Sequence, residues 1–192
     1  MKIGIYGGSF NPIHIGHTSL AQSLVNQGLV DEVWLLVSPL NPLKASGSDI
    51  ADYSHRLRMA ELACSEHDGL RVSDFESRLP VPSYTVVTLN ALSDAYPQHD
   101  FSLVIGADNW QSFDKWYKHD EILENFSLLV YNRPGVTLTG ASSLPRNVQI
   151  VDTPLYDISS TEIRKSIRQG KCLTQWLSPE VADYIGANGL YR

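Results

Sequence analysis

The chain has 192 residues, enough for one domain with a substantial core, and its fifteen basic and twenty-one acidic residues leave a formal charge of −6. That balance argues against a broad surface for nucleic acid or anionic membrane. No apolar run approaches the ~18 residues of a membrane span, no basic and apolar leader precedes the first apolar segment, and the two cysteines, Cys64 and Cys172, lie outside any metal or redox spacing. The expectation is a soluble cytoplasmic protein with reduced thiols, without a nucleic-acid or membrane partner, and with homo-oligomer formation left open. Any anion site must be a local concentration of donors in an acidic molecule.

Lys2-Ile3-Gly4-Ile5-Tyr6 is short, apolar and β-branched, and predicts a buried strand. It runs into Gly7-Gly8-Ser9-Phe10-Asn11-Pro12-Ile13-His14-Ile15-Gly16-His17. Leu20, Ala21, Leu24 and Val25 then recur at helical spacing, and Gly28 offers a C′ stop. The order is strand, glycine turn, helix. At such a junction the first helical N–H groups lack intrahelical partners and, with the helix dipole, favour a bound anion, which paired glycines let the backbone approach closely. No Gly-Lys-Ser/Thr closes the loop as in a P-loop, and Gly4, Gly7 and Gly8 do not fit G-x-G-x-x-G. Two histidines stand where a lysine would. His14 and His17 share a helical face, so metal ligation or a place in the core are the rival readings; H-x-x-H without a nearby glutamate is weak for zinc.

Residues 32–39 predict a second buried strand, and strand character returns at 70–75, 101–105, 126–131 and 148–151. Helical patterns lie between several of these, notably at 54–65 and 84–95. This alternation predicts an α/β fold: a Rossmann-like, doubly wound, mostly parallel sheet with helices on both faces and right-handed crossovers. Ligands in such folds sit beyond the carboxyl ends of the strands, where the chain order reverses.

Lys44 is the only cation in the turn-rich stretch 41–48, and on spacing alone it reads as a solvated surface lysine. Ser83 predicts an N-cap for the helix at 84–95, whose Val86, Leu89 and Leu92 form a buried stripe; capping also accounts for Thr85. Gly106 and Asp108 follow the strand at 101–105, and the carboxylate suits either a ribose diol or a helix cap. Trp110, Phe113, Trp116 and Tyr117 crowd together, the first two reading as core. Arg133 lies in an Arg-Pro-Gly turn and reads locally as a turn or surface residue. In Asp157-Ile158-Ser159-Ser160-Thr161-Glu162-Ile163-Arg164, Ser159 and Glu162 make an S-x-x-E capping box, Ile163 and Ile167 face the core and Gly170 ends the helix. Residues 179–185 predict a closing helix with a structural role.

The first motif resembles G-x-F-x-P-x-H-x-G-H of the nucleotidyltransferase superfamily. Asn11 stands where many relatives have Asp, and either residue can serve the turn. Ile158-Ser159-Ser160-Thr161-Glu162-Ile163-Arg164 resembles the superfamily's second motif, I-S-S-T-x-I-R. Pro82-Ser83-Tyr84-Thr85-Val86-Val87-Thr88-Leu89 is similar to the P-S-Y-T-x-x-T-L pattern of nicotinate mononucleotide adenylyltransferases. Both superfamily motifs occur in the right order, and the resemblance covers residues 7–164. It implies one domain, 1–192, with C-terminal helices from about residue 159 packing on it.

The resemblance implies transfer of AMP from ATP to nicotinate mononucleotide, giving deamido-NAD and pyrophosphate in NAD biosynthesis. Mg²⁺ travels with the ATP, and no protein side chain is expected to hold a metal. Gly7, Gly8, Ser9, Phe10, Ser159, Ser160 and Thr161 are implied to contact ATP and its phosphates. His14, His17, Arg164 and Lys44 would act on the reacting phosphates, Gly106 and Asp108 on ribose, and Thr85, Trp116, Tyr117 and Arg133 on the pyridine nucleotide. Stacking on Trp116 would add ~0.5–1.5 kcal/mol beyond area burial. The acceptor phosphate is already a nucleophile, so in-line attack on the α-phosphorus needs no general base. Two alternatives stand beside this reading. Pantetheine-phosphate adenylyltransferase shares the phosphate motifs but leaves Thr85, Trp116 and Tyr117 unexplained. A nucleotide sensor without turnover has no use for both histidines and Arg164.

Overall fold

The computed structural model describes residues 1–39, 49–81, 83–136, 138, 144–171 and 175–192, so the expectations for Lys44 and Cys172 lie outside the described residues. Its strands are β1 (Lys2–Gly8), β2 (Glu32–Val37), β3 (Leu70–Ser73), β4 (Asp100–Gly106), β5 (Ser127–Tyr131) and β6 (Val148–Val151). They pair in the order β3-β2-β1-β4-β5-β6, every pair parallel. The helices are α1 (Ile15–Asn26), α2 (Tyr53–Cys64), α3 (Thr85–Ala95), α4 (Ala107–Trp110), α5 (His119–Asn125), α6 (Ser160–Arg168) and α7 (Pro179–Ala187). Because β1 pairs with both β2 and β4, the winding reverses there, and a crevice opens beyond the carboxyl ends of those two strands.

Side-chain alternation divides the core. Val33, Leu35 and Val37 of β2 face Leu20 and Leu24 of α1, Met59 of α2, Ile163 of α6, and Val181 and Ile185 of α7. Trp34 and Leu36 point the other way, toward Val86, Leu89 and Leu92 of α3 and Ile122 of α5. The doubly wound sheet expected from the alternation of elements is therefore present, with both faces buried as parallel strands require. The second motif reaches the first because α6 lies on the same side of the sheet as α1. Among the described residues no helix is long and apolar enough to cross a membrane. Cys64 is buried and free, and burial pushes its thiol up to about 12.

Three local expectations are corrected. β1 does not stop at Tyr6; Gly7 and Gly8 stay in the ladder opposite Leu36 and Val37, so the turn begins at Ser9. Ser83 is not the cap of α3: Tyr84 holds that place with extended backbone and no side-chain cap bond, and Thr85 is the first helical residue. Trp110 is half-buried rather than core, stacked on the buried Phe113 with centroids 5.4 Å apart. The predicted ends of α1 and α6 hold, with Gly28 and Gly170 at positive φ beyond their C-caps.

Candidate active site

The turn after β1 folds back on itself. Phe10 sits at φ +43, a left-handed conformation uncommon for a bulky side chain, with only 3% of its surface exposed. Its ring lies so close over β1 that a Cβ on Gly8 would be 3.0 Å from it, so a larger residue at position 8 would have to push the Phe10 ring aside. The Asn11–Pro12 peptide is cis. Phe10 then supports His17, with ring centroids 5.1 Å apart and edge-on geometry, and His17 packs on His14 at 3.7 Å.

The His14 N–H donates to His17 Nδ1 at 3.2 Å. With Nδ1 accepting, a neutral His17 ring carries its proton on Nε2 and can donate from there. His14 is 7% exposed, and burial, aided by the Arg133 charge, lowers its pKa to about 4. It is therefore a neutral ring at physiological pH. The start of α1 offers an anion less than the sequence implies: the Ile15 N–H donates to Trp176 O (3.0 Å) and the His17 N–H to His14 O (2.9 Å).

Guanidinium groups hold the turn in shape. Arg164 donates to Asn11 O at 2.8 Å and to Thr161 Oγ1 at 3.4 Å, and the Ser160 hydroxyl donates to Pro12 O at 2.9 Å. Ser159 caps α6 by accepting from the Glu162 N–H while its own hydroxyl donates to the Glu162 carboxylate. The capping reading and the meeting of the two motifs thus hold together. On the other side Arg56, 2% exposed, donates to Ser9 O at 2.7 Å.

Asn11 does more than serve a turn. Its Nδ2 donates to Asp49 O, and its Oδ1 accepts from the Ala51 N–H and from the Tyr191 hydroxyl. Aspartate would lose the donor that faces Asp49 O, so the expected equivalence of Asn and Asp does not apply in this structure. Arg168 of α6 pairs with Asp49 at 2.7 Å and fixes the same segment.

Across the crevice, Asp108 and Arg133 form an ion pair at 3.1 Å, and Arg133 also donates to the Tyr131 hydroxyl, which shares a hydrogen bond with Tyr6. The Arg133 backbone forms the expected turn with Val136, and its side chain stays partly in solvent, 44% exposed, while reaching Asp108. Asp108 is not a cap; Gly106 occupies that place, and a Cβ there would collide with Asp108 Oδ1. Farther out, Tyr117 packs on Tyr84 with centroids 4.6 Å apart, and the half-buried Trp116 packs on Phe113 at 5.2 Å. Tyr84 directly precedes Thr85, the first residue of α3.

Buried polar atoms lacking a hydrogen-bond partner cost ~1–3 kcal/mol each, so their distribution is informative. Of the eight among the described residues, Ser9 Oγ, His14 Nδ1, Asp108 Oδ1 and Arg164 Nε are on side chains singled out in the sequence, while Tyr53 Oη, Glu76 Oε2, His99 Nδ1 and Thr153 Oγ1 are on residues that are not. Tyr6, Tyr131, Arg56 and Tyr191 belong to the same assembly and carry no motif that marks them. Gly7 is exposed at the end of β1, with open space where a Cβ would be.

The Cytidylyltransferase-like family model matches residues 5–166. A nicotinate-nucleotide adenylyltransferase from Bacteroides thetaiotaomicron is 46% identical over 185 residues, covering 96% of this chain and 91% of the relative. One from Flavobacterium johnsoniae is 41% identical and covers both chains completely. The solved structure of nicotinic acid mononucleotide adenylyltransferase from Plasmodium falciparum, complexed with NaAD, superposes with a TM-score of 0.84 at 20% identity over 99% of this chain and 97% of the other, a likeness of fold.

Proposed function

We infer the chemistry of this site from one premise: the chain belongs to the nicotinate-nucleotide adenylyltransferases, within the Cytidylyltransferase-like family. Its reaction joins the AMP moiety of ATP to nicotinate mononucleotide, releasing pyrophosphate and forming deamido-NAD in NAD biosynthesis. The observation that carries the site assignment is the gathering of unpartnered polar atoms on Ser9, His14, Asp108 and Arg164 at the carboxyl ends of β1 and β4. A polyphosphate and a ribose supply the partners those atoms lack.

In the proposed mechanism ATP enters as its Mg²⁺ complex, since Mg²⁺ is usually held by substrate phosphates and water. The phosphate of nicotinate mononucleotide attacks the α-phosphorus directly and pyrophosphate departs on the opposite side, so no covalent enzyme intermediate forms. The chain contributes position and charge. His17 donates from Nε2 to the α-phosphate, and His14, neutral on arrival, donates alongside it. Arg164, Lys44 and the hydroxyls of Ser159, Ser160 and Thr161 hold the leaving pyrophosphate. Gly7, Gly8, Ser9 and Phe10 shape the wall against which ATP lies. Asp108 accepts from the ribose diol, with Gly106 leaving room for it. Thr85, Trp116 and Tyr117 receive the pyridine ring, Trp116 by stacking, and Arg133 meets the acceptor's phosphate. ATP chirally labelled at the α-phosphorus tests this scheme with nicotinate mononucleotide as acceptor. Deamido-NAD of inverted configuration is expected; retention would require a covalent intermediate and contradict it.

A further inference from the structure

Arg56 lies on α2, a helix that carries no motif residue, yet its guanidinium is buried against the turn that follows β1. Nη1 donates to Ser9 O at 2.7 Å and Ser38 O at 2.8 Å, Nη2 to Pro39 O at 2.9 Å and Nε to Ala51 O at 2.9 Å. Ser9 follows β1, Ser38 and Pro39 follow β2, and Ala51 precedes α2. One side chain therefore sets the spacing of three backbone stretches at the ligand end of the sheet.

The charge is as notable as the geometry. A buried cation is costly unless paired, and an apolar side chain of similar volume would avoid that cost. Among the described residues no carboxylate forms an ion pair with Arg56, and residues 40–48 contain no acid. Burial lowers its pKa, with Asp52 the weakest of the opposing influences, but a guanidinium keeps its proton at any physiological pH. Arg164, which holds Asn11 O from the other side, also lacks a carboxylate partner among the described residues. The turn at 9–11 is thus gripped by two guanidiniums whose charge no paired acid cancels, in a chain of formal charge −6. Carbonyl oxygens satisfy the N–H groups and leave the positive charge in place.

We propose that Arg56 is a positioning residue for ATP: it locks the Ser9 turn to the end of β2 and places a fixed positive charge behind the polyphosphate site. The proposal rests on the adenylyl-transfer reading above. Wild-type enzyme, Arg56→Lys and Arg56→Met are compared by pyrophosphate release with each substrate varied in turn, with circular dichroism giving the folded fraction. Lysine keeps the charge and loses the fork; methionine loses both. KM for ATP should rise roughly tenfold or more in Arg56→Met and severalfold in Arg56→Lys, while KM for nicotinate mononucleotide stays within about twofold. The dependence of the ATP KM on ionic strength should flatten in Arg56→Met alone. A merely structural residue would lower Tm and the folded fraction and leave both KM values and the salt dependence of the folded enzyme unchanged; that result, or equal rises in both KM values, overturns the proposal. If Arg56→Met does not fold, the ratio of KM changes in Arg56→Lys decides. A wild type that releases no pyrophosphate would defeat the functional reading instead, and calorimetric titration of ATP would still test Arg56: equal affinity in wild type and Arg56→Lys overturns its role.

Discussion

Acidification should destabilise this protein through His14 in a way that a single substitution removes. Burial and the nearby Arg133 charge lower the His14 pKa from 6.5 to about 4 in the folded chain. The unfolded chain takes up a proton near the ordinary value while the native state refuses it, so the unfolded state binds more protons between the two. Stability contributed by neutral His14 is complete above about pH 7 and is lost as pH falls toward 4. The difference between 6.5 and about 4 corresponds to about 3 kcal/mol at full extent, of which about 2 kcal/mol is lost by about pH 5. Urea unfolding of wild type and His14→Gln, at about pH 7.5 and about pH 5, isolates this contribution because the other titrating groups are common to both. Wild type should lose about 2 kcal/mol more than the variant over that interval. Identical pH dependence in the two proteins would refute the burial of a neutral His14 and, with it, its role as an uncharged donor that meets the phosphates.

Three further substitutions probe separate parts of the site. His17→Ala, which removes the Nε2 donor, should lower kcat by roughly 10²-fold with the fold intact; unaltered turnover would remove His17 from the mechanism. Trp116→Ala should raise the KM for nicotinate mononucleotide and spare that for ATP, and equal losses for both would contradict the pyridine assignment. Tyr191→Phe deletes the hydroxyl that donates to Asn11 Oδ1 at 2.7 Å and should cost about 1 kcal/mol in thermal or denaturant unfolding; no loss would show that the C-terminal contact does not steady the turn.

The architecture was legible because its signals are local. Apolar β-branched runs, helical spacing and Gly28 and Gly170 as stops mark elements without knowledge of their neighbours. The end of β1 was not, since Gly7 and Gly8 have poor strand propensity and are held in the ladder only by Leu36 and Val37. Site residues divide in the same way. His14, His17 and Arg164 sit in contiguous motifs, whereas Arg56 looks like one of several charges on an amphipathic helix until the fold aims it at Ser9, 47 residues away. The pairing of Asp108 with Arg133 and that of Tyr6 with Tyr131 join separate strand ends, and nothing in the linear order marks them. The role of Asn11 is hidden for a related reason: its partners, Asp49, Ala51 and Tyr191, come together only through tertiary contact.

Transfer of AMP to nicotinate mononucleotide can be tested directly. Purified protein with MgATP, supplied in parallel with nicotinate mononucleotide, nicotinamide mononucleotide or pantetheine phosphate, tests it by pyrophosphate release and product chromatography. Pyrophosphate and deamido-NAD are expected in equal amounts with the nicotinate acceptor and none with pantetheine phosphate. Release with pantetheine phosphate alone, or with no acceptor at all, would contradict this transfer.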